Sequence, residues 1–427
     1  MSTVAYKCPN CASPLTYDGK TGQMVCNACD SLFDLETIEA LNETMEEGVV
    51  DFEAPTATFD DGESAQMQAY HCKSCGAELI TEGTTTATEC PYCGSPTVLP
   101  DRIDGGIRPE KVVPFLISKE EAQKSFVDYF KGKLLLPNIF KKDNHIAEIR
   151  KLFVPYWLFD CDAEGNIMYD AEKRSTHREG NYEVTTVEHY LVRRAGNMHF
   201  ENIPVDGSEK MDNKITESLE PYDLSQAVAF APTVLSGAMA DHADVDAVEC
   251  ETRAIVRVEN SVSEALRKTV MGYSNVRERV RRIHSTGGKV TPVLMPVWLI
   301  TTKKDDKTYT FAINGQTGKL TCNVPTAKGK AALWGIGTWL AAFGIGAGVC
   351  KLLDAMEGGP LLGAALVALV AAGGVLAALL GQLKQAAMQQ TASGYSEGCD
   401  LTVRYDKYLY KTTTRRKIET QSKSASA

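Results

Sequence analysis

Basic side chains are scarce at the start of this 427-residue chain. Residues 1–100 hold three of them (Lys7, Lys20 and Lys73) against sixteen acidic residues, a net of −13, and the whole chain carries −10. A phosphate-binding surface draws its affinity from Lys and Arg displacing counterions. This balance therefore argues against DNA or RNA as the partner of the N-terminal region. Catalytic signatures are missing as well. There is no G-x-S-x-G and no H-E-x-x-H, and the seven histidines are scattered. The Gly-Lys-Thr of "DGKTG" lacks the earlier glycine of a phosphate-binding loop, since Pro14 stands there. The chain reads as a non-enzyme. The first residues also lack a secretory leader pattern, which points to reduced thiols rather than disulfides.

What is present is cysteine in a repeated layout. "YKCPNCASPLTYDGKTGQMVCNACD" and "YHCKSCGAELITEGTTTATECPYCG" place Tyr6, Cys8, Cys11, Cys26 and Cys29 onto Tyr70, Cys72, Cys75, Cys90 and Cys93 at one constant offset. Each unit reads C-x2-C-x14-C-x2-C. Two knuckles carrying two sulfurs each can surround one ion tetrahedrally, the arrangement structural Zn²⁺ takes. A segment this short cannot bury enough apolar surface to fold alone, and metal binding worth roughly 10–16 kcal/mol makes up the deficit. Two structural Zn²⁺ ions are expected, one in a ribbon over residues 1–33 and one in a ribbon over 70–100. An iron–sulfur or redox reading is weaker, because two pairs repeat in register. His71 adjoins Cys72 but is a bystander to four thiolates. Thiolate oxidation that ejects zinc would make the same sites a redox sensor.

Two runs lack charge altogether: "AALWGIGTWLAAFGIGAGVC" (331–350) and "LLGAALVALVAAGGVLAALLGQL" (361–383). About twenty helical residues cross a ~30 Å hydrocarbon core, so residues 331–383 are expected to form a transmembrane helical hairpin. Lys319, Lys328 and Lys330 precede it and Lys384, Arg404, Lys407, Lys411, Arg415, Arg416 and Lys417 follow it, whereas the connecting loop has Lys351 against Asp354 and Glu357. The positive-inside rule then puts both termini in the cytoplasm of a multi-pass inner-membrane protein. Gly344 and Gly348 form a G-x-x-x-G pair that suits packing of the spans on each other, or homo-oligomerisation. The tail 384–427 is basic and reads either as lying on anionic lipid or as solvated.

Between these ends, residues 34–69 look like an acidic helix ("DLETIEALNETMEEG") and a flexible linker, so the ribbons should be tethered separately. Residues 107–321 have the composition of an α+β domain with antiparallel strands. A strand at "KVVPFLI" precedes a helix begun by Ser118, with Glu121 completing a capping box. Strands follow at "FVPYWLFDCD", "GNIMYDAEKR", "YEVTTVEHYLVRR", "VTPVLMPVWLITTKK" and "KTYTFAIN", with helical periodicity near 242–268 and a turn at "NGQTGK". "SNVRERVRRIHS" suits helix and strand equally. A fainter repeat matches Pro155, Trp157 and Leu158 to Pro296, Trp298 and Leu299, implying a duplicated strand–turn–strand unit. Its prolines suit sheet edges.

With "YKCPNCASPL", "VVPFLISKEEA", "FVPYWLFD", "VLMPVWLI" and "TYTFAINGQTGKL" collected, nearly the whole chain resembles a family of bacterial zinc-ribbon membrane proteins. These carry a transcription-factor-IIB-type ribbon and are sometimes misnamed primosomal helicases. The resemblance implies a membrane anchor or scaffold in a phage-shock-type stress module, recruiting cytoplasmic and membrane proteins. It carries over zinc ligation by Cys8, Cys11, Cys26, Cys29, Cys72, Cys75, Cys90 and Cys93. Gly76 and Gly94 keep the knuckle glycine of the second ribbon; Ala12 and Asp30 replace it in the first, which predicts looser knuckles there. The alternative reading is a membrane-tethered nucleic-acid-binding regulator acting through the ribbons.

Overall fold

The computed structural model describes residues 15–27, 32–35, 38, 50, 52–87, 89–96, 98–101, 106–137, 149–304, 307–322, 327–352, 358–381 and 386–418. The acidic helix expected after residue 34 lies almost wholly outside them. The N-terminal hairpin strands β1 (Leu15–Asp18) and β2 (Gln23–Cys26) pair with β3 (Leu32–Asp34) in a sheet of their own. Helix α1 (Asp61–Ala65), capped by Asp60, leads into β4 (Met67–Cys72), β5 (Glu78–Glu82) and β6 (Val98–Asp101). These three strands carry the second cysteine unit.

The larger part of the fold is one unit used twice. The first copy runs β7 (Lys111–Val112), α2 (Lys119–Phe130), β8 (Arg150–Glu179) and β9 (Tyr182–Asp206). Helix α3 (Asn213–Leu219) and β10 (Val228–Ala229) follow. The second copy runs β11 (Met239–Asp241), α4 (Ala247–Lys268), β12 (Asn275–Lys304) and β13 (Lys307–Asn314), extended by β14 (Leu320–Cys322). β8 and β12 pair antiparallel so that Val154 faces Met295, Phe153 faces Pro296 and Pro155 faces Leu294. The two sequence motifs thus meet head-on about a local two-fold. Each copy lends its first strand to the other: β7 lies parallel to β12 with Val112 opposite Leu294, and β11 lies parallel to β8 with Ala240 opposite Phe153. The N-caps Ser118 and Asp246 stand at the same distance beyond, and Ser118 forms the expected capping box with Glu121.

The motif prolines sit within interior strands, not at an edge. Their missing N–H groups are tolerated because the neighbour of each strand changes at that point. Beside β8 it passes from β11 at Phe153 to β9 at Tyr156; beside β12 it passes from β7 at Leu294 to β13 at Val297. A glycine closes each gap. Gly207 N donates to Pro155 O at 2.9 Å, and Gly315 N to Pro296 O at 2.8 Å. A Cβ on Gly315 would stand 2.7 Å from both Phe115 Cδ1 and Pro296 Cβ. Gly315→Ala is therefore expected to cost about 1–3 kcal/mol by overpacking, read as a lowered thermal midpoint of the purified protein.

Several expectations change. β8 is one continuous strand where two were expected, and "SNVRERVRRIHS" opens β12 as strand. Pairing with β8 decides it: Arg277 and Arg279 both reach Asp170, at 3.6 and 3.3 Å. The second cysteine unit is not tethered separately. β5 pairs antiparallel with β11, so the large sheet runs on through β5, β4 and β6. The linker before it is also docked in part: Phe52 is buried edge-on against Phe159 at 5.0 Å, and Arg108 pairs with Glu63 at 2.7 Å. Two aromatic residues, Phe52 and Phe59, the latter edge-on to Phe230 at 5.8 Å, supplied the apolar area that the linker's acidic composition hid.

The apolar runs form helices α5 (Lys328–Leu352) and α6 (Gly358–Gly381), both long and apolar enough to cross a membrane. Leu340, Ile345, Leu366 and Val370 point outward and are more than half exposed. The helices touch through Gly346, where a Cβ would meet Ala364 at 3.0 Å; Gly344 and Gly348 face open space. The G-x-x-x-G pair thus does not make the hairpin contact, because positions 344 and 348 lie on another face of the helix from 346.

Beyond α6 the chain returns to the domain. The segment from Ala386 to Ser396 is held largely by side chains of α3 and α4. Gln389 N donates to Glu217 Oε2 at 2.7 Å, Asn260 Nδ2 to Gln390 O at 3.0 Å, Ala392 N to Ser261 Oγ at 2.7 Å and Tyr395 OH to Glu220 Oε2 at 2.7 Å. Beneath it, Arg257 donates to both carboxylate oxygens of Glu220 at 3.1 and 2.7 Å and to Pro204 O at 2.8 Å, and both side chains are almost fully buried. The basic end is not a detached tail. It forms β15 (Asp400–Lys417), paired antiparallel along β9 from Asn197 to Tyr182.

Candidate metal centre

The four sulfurs of Cys72, Cys75, Cys90 and Cys93 lie within 4.8 Å of one another. Cys72 Sγ stands 3.7 Å from Cys93 Sγ, and Cys75 Sγ stands 3.6 Å from Cys90 Sγ. These separations are far too long for disulfides. They match the edge of a tetrahedron built on metal–sulfur bonds of about 2.3 Å, which is about 3.8 Å. The four-thiol set therefore fits a soft or borderline metal ion such as Zn²⁺.

Local backbone chemistry builds both knuckles. Gly76 and Gly94 take the left-handed conformation, with φ of 72° and 66°, which a residue with a Cβ adopts only at a cost. There Gly76 N donates to Cys72 O at 2.8 Å and Gly94 N to Cys90 O at 2.9 Å, while Cys72 N and Cys90 N bond to Ala77 O and Ser95 O. Burial pushes the thiols of Cys75 and Cys90 up. At Cys72 burial is the largest effect and acts upward, but hydrogen bonds from the backbone of Cys75 and Ser74 and from the side chains of Cys75 and Cys93 together bring its thiol below the ordinary value. Four such thiols ionise together only when a cation compensates them. His71 stays apart, its Nδ1 4.0 Å from Glu78 Oε1 and outside the thiol cluster.

Of the first unit, Cys26 is buried in β2 beside Met24 and Phe33, whereas Cys8, Cys11 and Cys29 lie outside the described residues. This small sheet rests on β15, where Lys407 Nζ donates to Leu32 O at 3.2 Å and lies over the Phe33 ring.

The knuckle at Cys90–Cys93 is knitted into the domain. Arg150 Nη1 donates to Cys90 O at 3.1 Å and Thr301 Oγ1 to Pro91 O at 2.8 Å. Tyr92 OH and Ser208 Oγ both donate to Asp241 Oδ2, each at 2.5 Å. Burial pushes the Asp241 carboxyl up to about 7, with the Ser208 and Tyr92 hydrogen bonds pulling the other way. Sequence reasoning missed this lock. The tyrosine of "CPYC" was visible, but its partner stands 149 positions away.

The sign of its pH dependence follows from the raised carboxyl. The folded chain holds this proton more tightly than the unfolded one, so the contribution is full below pH ~4 and is lost as pH rises through ~7. Between pH 6 and 8 the protein should lose about 1.4 kcal/mol of stability relative to Asp241→Asn. Thermal unfolding of the two proteins across that range checks it; parallel curves would reject the assignment.

No family model and no solved structure matches the chain. A curated protein of Bacillus subtilis (strain 168), described as uncharacterized protein YdjG, is 33% identical over 360 residues, which are 83% of this chain and 99% of that protein. An agreement that takes in almost the entire relative leaves one placement: the chain belongs to the family of YdjG.

Proposed function

We propose that the chain is a non-enzymatic, membrane-anchored scaffold whose ribbons and α+β domain bind cytoplasmic partner proteins, in a membrane-stress complex of the phage-shock type. In this reading both cysteine units hold zinc, α5 and α6 cross the inner membrane, and both termini face the cytoplasm. The observation that carries it is the pair of adjacent helices whose large apolar side chains point outward, on a domain stapled by a four-thiol site. Lipid is the surrounding that such side chains require. The basic residues flanking the pair and the thiolate chemistry both suit the cytoplasmic side.

Proximity labelling from the N-terminal sheet in cells should recover a defined set of cytoplasmic and membrane proteins. Nucleic acid co-purifying with no protein partner would defeat the proposal. Thiol reagents that cannot enter cells should leave the cysteines of both ribbons unlabelled in intact cells. Ribbon-based nucleic-acid binding is the weaker reading. The Cys90–Cys93 knuckle faces Arg150, Thr301 and Asp241 of its own chain, and retention that falls steeply with salt would be needed to revive it.

A further inference from the structure

The loop after α2 is fastened to the entry of α5. Ala327 N donates to Leu135 O at 2.9 Å, and Lys330 Nζ donates to Leu136 O at 2.7 Å. Leu135 and Leu136 are buried, but Leu134 beside them is exposed at 41%. Lys131 and Lys133 precede it, with Lys133 Nζ over the Tyr129 ring, and Lys328 and Lys330 stand at the helix entry. One turn back on α2, Val127 is exposed between Lys124 and Lys131 on one helical face. Asp128 offsets Lys131 at 2.6 Å and Glu121 caps Ser118, so the net positive charge beside Leu134 and Val127 comes from Lys124, Lys133 and Lys328. An exposed leucine and valine rimmed by lysines, held where an apolar helix begins, have the character of an interfacial contact. There the apolar side chains enter the acyl boundary and the ammonium groups reach the phosphates.

We propose that the Lys131–Leu134 loop and the adjoining face of α2 form a contact with the anionic headgroups of the bilayer leaflet that α5 enters. The proposal rests on the reading of α5 and α6 as membrane spans. The loop would set the tilt of the domain against the membrane, and with it the direction in which the long β8–β9 hairpin points.

The test uses the full chain in nanodiscs of phosphatidylcholine, alone or with about one third phosphatidylglycerol. Each lysine near an anionic surface adds an appreciable attraction, so amide exchange across residues 131–136 should slow on the order of tenfold in the anionic discs. Lys131→Glu with Lys133→Glu should abolish the difference while exchange in β8 and β9 stays as in the parent, showing that the variant is folded. Equal exchange in both kinds of disc, or equal slowing in the double variant, would overturn the lipid contact and leave the spans standing. A chain that elutes free of the discs would overturn the spans as well.

Discussion

If Cys72, Cys75, Cys90 and Cys93 hold a metal ion, removing it should free the whole second cysteine unit, so that amides from Met67 to Asp101 exchange at rates close to those of an unfolded chain. β4 and β5 also bury Met67, Tyr70, Leu79 and Ile80 against the domain, yet metal binding worth roughly 10–16 kcal/mol is the larger share of what holds such a module together. The loss should travel one strand further. β5 supplies the antiparallel neighbour of β11, and Tyr92 supplies one of the two donors to the buried Asp241 carboxyl. With this unit undone, Met239–Asp241 becomes an edge and Asp241 loses its tyrosine. β8 and β9, paired along more than twenty residues, should keep their protection. Cys90→Ser should reproduce the effect of a chelator, with metal content measured alongside. Retained protection from Met67 to Asp101 in the metal-free protein would show that the four thiols are packing groups and nothing more.

The second large effect is expected at Arg257. Its guanidinium binds both oxygens of Glu220 and the carbonyl of Pro204, in surroundings that exclude water. Burial already pushes the Glu220 carboxyl up, against the pull of Arg257. Arg257→Met leaves that carboxyl buried without its cation, which costs about 3–5 kcal/mol. For a domain of this size that corresponds to a fall of about 10 °C in thermal midpoint. Adding Glu220→Gln removes the stranded charge and should restore most of the loss. If the double variant is as unstable as the single one, lost packing around Arg257 is the cause and the ion pair is incidental. The segment from Thr391 to Tyr395, which leans on Arg257 and Glu220 at its two ends, should also exchange faster in the single variant.

The features legible in the sequence were those written over short distances. The spacing of Cys72, Cys75, Cys90 and Cys93 declared a four-thiol site, and the glycines after two of them declared the knuckles. Ser118 and Glu121 announced a helix start through their own hydrogen bonds. The match between Pro155-x-Trp157 and Pro296-x-Trp298 announced a repeat, although its true extent, from β7 to β13, appeared only in the hydrogen bonds. The features that were illegible depend on partners far away in the chain. Nothing around Glu78–Glu82 marks it as the neighbour of Met239–Asp241, and nothing around Asp241 names Tyr92. The basic end misled for a related reason. Its charges dominate the composition, while the strand pairing with β9 is carried by backbone groups that composition does not reveal.

The position of β15 bears on how the protein is made. β9 is synthesised early, yet the strand that covers its outer side from Asn197 to Tyr182 leaves the ribosome only after both apolar helices. Until those helices have been handed to their final surroundings, β9 presents a bare row of amides and carbonyls. Nascent chains stalled before Asp400 should therefore be the ones that chaperones hold, until β15 pairs with β9.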